Sequence, residues 1–294
     1  MARIDILGVG HAYDLTTPTD SPVVLVFIHG WLLSRQYWQP LISRLSPEYQ
    51  CLTYDLRGFG DSQPPPTPPP AGGRGGVPTE FHRDYTPAAY AKDLGILLDK
   101  LGIGHAWLIG HSLGGTIALW TGVSLPEQVK GIICINSGGG IYIKEEFERF
   151  RSVGEQLVKL RPRWLCYLPW LDWLFSRESV ARPVDRCWGR QRLIDFVSAD
   201  PEAARGTLLD STTEAEVHRL PQLVSQLKQP VYFLAGEQDQ VMEPRYVRHL
   251  ASFHYLFGGC HENVISIPNC GHLSMVEQPD FVADQIRDRL KTHL

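Results

Sequence analysis

Between Ala106 and Gly122 the chain reads AWLIGHSLGGTIALWTG. An apolar run, Ala106 to Ile109, breaks at Gly110-His111-Ser112-Leu113-Gly114-Gly115, and a helix-like stretch begins at once. The pattern G-x-S-x-G between a strand and a helix allows one geometry, a sharp turn that lifts the serine hydroxyl to the top of a sheet. Gly110 and Gly114 stand two residues either side of Ser112, where side chains would collide as the strand crosses the helix. The string alone arises by chance on the order of 0.1 times in such a chain. Its context therefore has to carry the argument.

That context is an alternation of strands and helices. RIDILGVGHAYDL reads as two short strands joined at Gly8–Gly10. Residues 23–28 (VVLVFI) form a continuous apolar run, as expected for a strand buried on both faces. Further strands are read at 50–54, 107–109, 129–135, 231–234 and 264–267, and helices at 38–45, 85–101, 116–123 and 281–290. This order implies an α/β fold with a mostly parallel sheet covered on both faces. Two segments interrupt the rhythm. Residues 64–79 (PPPTPPPAGGRGGVPT) cannot bury apolar surface and read as an extended surface loop. Residues 140–224 are mostly helical and too long for a connection. They are read as a cap inserted on the catalytic face, with 1–139 and 225–294 forming the core.

Composition narrows the setting. A hydrophobic content of 43% with 20% charged residues suits a soluble globular enzyme, and the net charge of -4 gives no reason to expect nucleic acid as a partner. No basic, apolar leader opens the chain, and the longest apolar stretch, residues 164–175, is shorter than the ~20 residues that span a bilayer. Six scattered cysteines without C-x-x-C spacing read as free thiols of a reducing compartment, hence a cytoplasmic expectation. Cys260-His261 and Cys270-Gly271-His272 could in principle bind zinc, but the spacing is unlike that of a finger and the expectation is no metal.

A serine hydroxyl is a weak nucleophile until a base lies within hydrogen-bond reach and a third group fixes that base's tautomer. Of 11 histidines, His272 stands out, because it follows the last strand in IPNCGHLSMVEQPDF. Asp239, in VYFLAGEQDQVMEP after the penultimate strand, is the candidate acid. Loops at the carboxyl ends of parallel strands share one edge, and the order Ser112, Asp239, His272 is the one an elbow hydrolase requires. Plainer readings stand beside these: Ser112 as a turn serine, His272 as a helix-entry residue, Asp239 as a turn former with Glu237 as the acid. The backbone N–H groups of Leu113 and Trp31 are candidate oxyanion donors. His29 is read as shaping its turn, and the DLRGFGDS loop at 55–62 as structural.

Taken together, HGW, DLRGFGDS, GHSLGG, GEQDQVMEP and CGH…EQPDF resemble the α/β-hydrolase superfamily over nearly the whole chain. The resemblance implies an eight-stranded sheet, a cap after the sixth strand, a triad at Ser112, Asp239 and His272, oxyanion donors at Trp31 and Leu113, and no cofactor. The HGW opening looks like the short-loop esterases, including the pimeloyl-carrier-protein methyl esterases, and unlike HGGG lipases. A serine nucleophile is unlike the haloalkane dehalogenase and epoxide hydrolase branches, which carry aspartate there.

The cap stretch WLCYLPWLDWLF holds Trp164, Tyr167, Trp170, Trp173 and Phe175. These aromatics either pack the cap on the core, or form an acyl-binding wall in which Trp164 and Trp170 touch substrate, or touch lipid. Between Lys159 and Arg192 eight basic residues face three acidic ones, a net of +5 in a negative chain. This is either a solvated face or a site for an anionic partner, such as an acidic carrier protein, a lipid surface or a carboxylate-bearing substrate. The favoured reading is a serine hydrolase acting on a carboxylic ester with a hydrophobic acyl group. The alternatives are a C–C bond hydrolase, a menaquinone-pathway lyase or a cofactor-free perhydrolase with the same triad, and last a non-catalytic ligand-binding member.

Overall fold

The computed structural model describes residues 1–65, 84–138, 144–259 and 262–294. Most of the Pro/Gly-rich segment 64–79, and the Cys260-His261 pair, lie outside them. The strands are β1 (Ala2–Ile6), β2 (Val9–Leu15), β3 (Val24–Ile28), β4 (Gln50–Tyr54), β5 (Ala106–His111), β6 (Val129–Ile135), β7 (Val231–Gly236) and β8 (Val264–Ile267). They form one eight-stranded sheet in the order β1-β2-β4-β3-β5-β6-β7-β8. β1 and β2 are antiparallel, and β3 through β8 run parallel. The fold is thus the expected mostly parallel α/β sheet.

Both faces of the sheet are buried, which is why its strands read as unbroken apolar runs. Val26, Ile28, Leu108, Ile132 and Cys134 point into one core, and Leu25, Phe27, Trp107, Ile133 and Ile135 into the other. The first core is covered by α2 (Pro87–Lys100) and α3 (Leu113–Ser124), the second by α1 (Gln39–Leu45) and α11 (Pro279–His293). α2 starts where Thr86 Oγ1 accepts the Ala89 N–H at 3.2 Å with Pro87 at its first position. Its buried stripe is Tyr90, Ala91, Leu94, Leu97 and Leu98. α3 is apolar nearly all round because it lies between the sheet and other helices. Cys51 and Cys134 are buried strand residues, and burial pushes the Cys51 thiol up to about 12.

Between β6 and β7 run α4 (Lys144–Lys159), a 3₁₀ turn (Arg163–Tyr167), α5 (Pro169–Phe175), α6 (Arg186–Ser198), α7 (Pro201–Ser211) and α8 (Glu214–Gln226). α4 packs on α7, and α6 packs on α5 and the 3₁₀ turn. α8 packs on α3 and sends Leu220, Leu223 and Val224 into the first core. The chain closes with α9 (Pro244–Ala251), the single turn α10 (Ser274–Glu277) and α11.

Candidate active site

Because β3 to β8 are parallel, the loops that follow them open on one edge of the sheet. Ser112 follows β5 with φ 51° and ψ −118°, a conformation that a non-glycine residue holds only when its surroundings impose it. Its N–H donates to Ile135 O at 3.0 Å, and its carbonyl accepts from Gly115 N–H at 3.0 Å. The flanking glycines are steric requirements. A Cβ on Gly110 would fall on the Gly114 carbonyl, and one on Gly114 on the Ile28 carbonyl at the end of β3. The side chain of Ser112 is half-buried and makes no hydrogen bond to another described residue.

His272 lies in the loop between β8 and α10, and Asp239 in the loop after β7. His272 Nδ1 donates to Asp239 Oδ2 at 2.8 Å, which leaves Nε2 as the proton-accepting nitrogen. Asp239 is only 3% exposed. Its Oδ1 accepts the Val241 and Met242 N–H groups at 2.8 and 2.9 Å, and its Oδ2 also accepts Asn136 Nδ2 at 2.8 Å. Burial alone would push this carboxyl up. The charge of His272 beside it, with the hydrogen bonds from His272, Met242 and Asn136, holds it below the usual carboxylate range. Glu237 is exposed and bonds Ser266 Oγ at 3.2 Å, so the carboxylate on His272 is Asp239.

Three residues the sequence reading left out complete the site. Asn136 directly follows β6 at φ 48° and is fully buried. Its amide bonds Asp239 and Gly271 O (3.1 Å), and its Oδ1 accepts from Ser274 Oγ. Glu277 holds the His272 loop: Oε2 accepts the N–H of Gly271 (3.0 Å) and of Ala181 (2.8 Å), and Oε1 accepts that of Leu273 (3.0 Å). With His272 N–H donating to Ser179 O at 2.8 Å, the three consecutive amides of residues 271–273 have fixed partners. His111 packs beside His272 with ring centroids 4.7 Å apart and donates from Nε2 to His272 O at 2.7 Å. Burial, then the neighbouring His272, pushes its pKa down to about 3, so it stays neutral. The signal for Asn136 was an asparagine directly following a buried strand, a residue that tolerates positive φ. Glu277 and His111 carried no signal beyond lying near other motifs.

The candidate oxyanion donors sit on adjoining loops, since Ile28 of β3 pairs with Gly110 of β5. Leu113 is the first residue of α3, where N–H groups lack intrahelical partners. Neither its N–H nor that of Trp31 donates to a described residue. His29 shapes its turn, donating from Nδ1 to Gly30 O (2.8 Å) and accepting the Leu56 N–H on Nε2 (3.0 Å). The DLRGFGDS loop is clamped by buried Arg35, which pairs with Asp55, and with Asp14 and Asp61 at 2.8 Å each. The helices between β6 and β7 meet the first of these loops where Trp31 Nε1 donates to Ala204 O (2.9 Å) and Ser34 Oγ to Asp195 (2.9 Å). No contact joins Trp164 or Trp170 to the elbow among the described residues. They are 57% and 59% exposed, on elements packed chiefly against α6.

The family described as alpha/beta hydrolase fold matches residues 23–279, and the chain belongs to it. A relative from Enterobacter cloacae, named "Putative carbamate hydrolase RutD", is 30% identical over 166 residues, 54% of this chain and 56% of its own. The chain thus spans about half the length of the curated relatives it matches. Among solved structures, a thermophilic esterase from Thermogutta terrifontis superposes with a TM-score of 0.75 at 22% identity, covering 100% of both chains. An enol-lactonase from Burkholderia xenovorans LB400 superposes with a TM-score of 0.73 at 19% identity, covering 98% of this chain and 99% of its own. At these identities the likeness is one of fold.

Proposed function

We propose that this hydrolase-family protein cleaves a carboxylic ester of a hydrophobic acyl group through an acyl-enzyme. The observation that carries the reading is the buried Asp239–His272 hydrogen bond on the same sheet edge as a serine held in a strained elbow. Ser112 Oγ attacks the acyl carbonyl while His272 Nε2 takes its proton. The Leu113 and Trp31 N–H groups receive the oxyanion. Collapse expels the alcohol, which takes the proton from His272. A water, deprotonated by His272, then attacks the acyl-enzyme, and the acid leaves with Ser112 restored. Asp239 holds the imidazole in its Nδ1–H tautomer and stabilises the imidazolium. Residues 140–224 act as a cap over this edge, with 1–139 and 225–294 as the catalytic core.

A second reading keeps the same attack and changes the carbonyl to that of a carbamate. It is favoured by the name carried by the 30% identical relative. Hydrolysis of p-nitrophenyl esters from acetate to palmitate, beside a p-nitrophenyl carbamate and a Ser112→Ala control, tests both. Ser112-dependent ester turnover with a chain-length optimum supports the first reading and sizes the acyl pocket. Carbamate turnover without ester turnover supports the second. Failure of a fluorophosphonate to label Ser112 would overturn both.

A further inference from the structure

The segment between β6 and β7 turns an aromatic face to solvent. Trp164, Tyr167, Trp170 and Trp173 recur every third residue and are 57%, 83%, 59% and 50% exposed. In a 3₁₀ turn, residues three apart lie on one face, as do Trp164 and Tyr167. Trp170 and Trp173 share a face of α5, and Leu174 beside them is 43% exposed. α5 buries Leu171 and packs on α6. A helix bordering water ordinarily shows charged residues on its exposed side. Two pairs of exposed aromatics on successive elements instead mark a contact surface.

The charges around this face identify what it meets. Lys159, Arg163, Arg177, Arg182 and Arg186 are exposed in the same stretch, against exposed Glu178 and Asp185. The guanidinium of Arg177 lies over the Trp173 ring at 4.0 Å, extending a cation from the aromatic face itself. Asp172, the one acid within α5, turns toward α6 and pairs with Arg190 at 3.6 Å, so it leaves the face without a negative charge. Tryptophan and tyrosine settle at the headgroup level of a bilayer, where one side of the ring meets acyl chains and the polar tip stays wet. Arginine and lysine beside them add attraction to anionic headgroups. An acidic protein would satisfy the cations but would need a pocket for each of four rings. No helix among the described residues is long and apolar enough to cross a membrane, so contact is at the surface.

We propose that the exposed aromatics of residues 163–175, flanked along the chain by these cations, dock the protein on an anionic lipid bilayer. The docking does not depend on the ester reading, because it is read by binding rather than turnover. It would also reach the active site. α5 leads directly into Ser179 and Ala181, which bond the His272 loop and Glu277 at 2.8 Å each.

The test is sedimentation with vesicles of phosphatidylcholine alone and of phosphatidylcholine with about one-third phosphatidylglycerol, with quenching of tryptophan emission by brominated lipid. Binding to the anionic vesicles only, quenching on contact, and release by salt are expected. Arg177→Ala should weaken binding about fivefold, the equivalent of one basic residue near a charged surface. Trp170→Ser with Trp173→Ser should weaken anionic-vesicle binding and remove the part of the quenching those two rings contribute, leaving that of Trp164, their half-exposed positions leaving the fold intact. If that double variant fails to fold, quenching of the unmodified protein decides. No binding to anionic vesicles at low salt overturns the proposal. So does binding without quenching that polyglutamate abolishes, which would assign the face to an acidic protein.

Discussion

Replacing Glu277 by glutamine removes the carboxylate that holds the amides of Gly271, Leu273 and Ala181. The glutamine amide has one acceptor oxygen. Its best orientation keeps the two bonds on the Oε2 side and turns an NH₂ donor toward the Leu273 N–H. Two charge-assisted bonds become neutral ones, at a cost of ~1 kcal/mol each, and one amide is left facing a donor, at ~1–3 kcal/mol. The site is half-buried, so water recovers part of this, and a loss of about 2–4 kcal/mol is expected. For a chain this size that lowers Tm by roughly 3–6 °C. Residues 271–273 also carry His272, the proposed base. A shift of their backbone by ~1 Å is expected to lower kcat on the order of 100-fold, with KM nearly unchanged, as for a contact made only in the transition state. Thermal unfolding and p-nitrophenyl ester kinetics measure the two effects. Leu290→Ala serves as a control that lowers Tm without touching the loop. If Glu277→Gln lowers Tm as that control does and keeps its kcat, the carboxylate holds the fold and not the base, and the reasoning is refuted.

Asp239→Asn should lower kcat about 10⁴-fold while Ser112 and His272 keep their places, because the amide favours the wrong imidazole tautomer; a small effect would mean that another carboxylate serves the base. Asp195, on α6, is pushed up to about 7 by burial, against the opposing bonds from Gln191 and Ser34. The native state therefore keeps its proton where the unfolded chain, near 3.8, has lost it, and stability falls as pH rises between these values. Asp195→Asn mimics the protonated form and should raise Tm at pH 8 far more than at pH 4; equal shifts at both would disprove the linkage. His111 acts in the opposite direction. Held near 3 against an ordinary 6.5, it is neutral in the native state while the unfolded chain takes up a proton, so stability drops by about 1.4 kcal/mol per pH unit on acidification through that range. Urea titrations of His111→Gln should show a flatter acid limb. Gly114→Ala drives a methyl into the Ile28 carbonyl and should cost about 3 kcal/mol or more; expression with an unchanged Tm would contradict the elbow geometry.

Local chemistry made much of this legible in advance. Strand runs could be read because a sheet buried on both faces leaves no polar alternation. The elbow could be read because only glycine permits the approach of β5 to α3. Asp239 and His272 could be paired because parallel strands bring successive loops to one edge, although Glu237, two residues away, remained open until burial and distance separated them. Asn136 and Glu277 could not be read. Each works through contacts to backbone groups from distant loops, and backbone amides look the same at every position in a sequence.

Sequence by itself determined the order of elements, the strained serine turn and the loops from which the site is built, since these rest on periodicity and on steric limits within a few residues. Tertiary structure alone decided which carboxylate meets His272, that the three amides of residues 271–273 are held by Glu277 and Ser179, and that the tryptophans at 164 and 170 stay more than half exposed. Those outcomes depend on which surfaces meet, and an aromatic residue has the same apolar character whether its ring faces a core, a substrate or solvent.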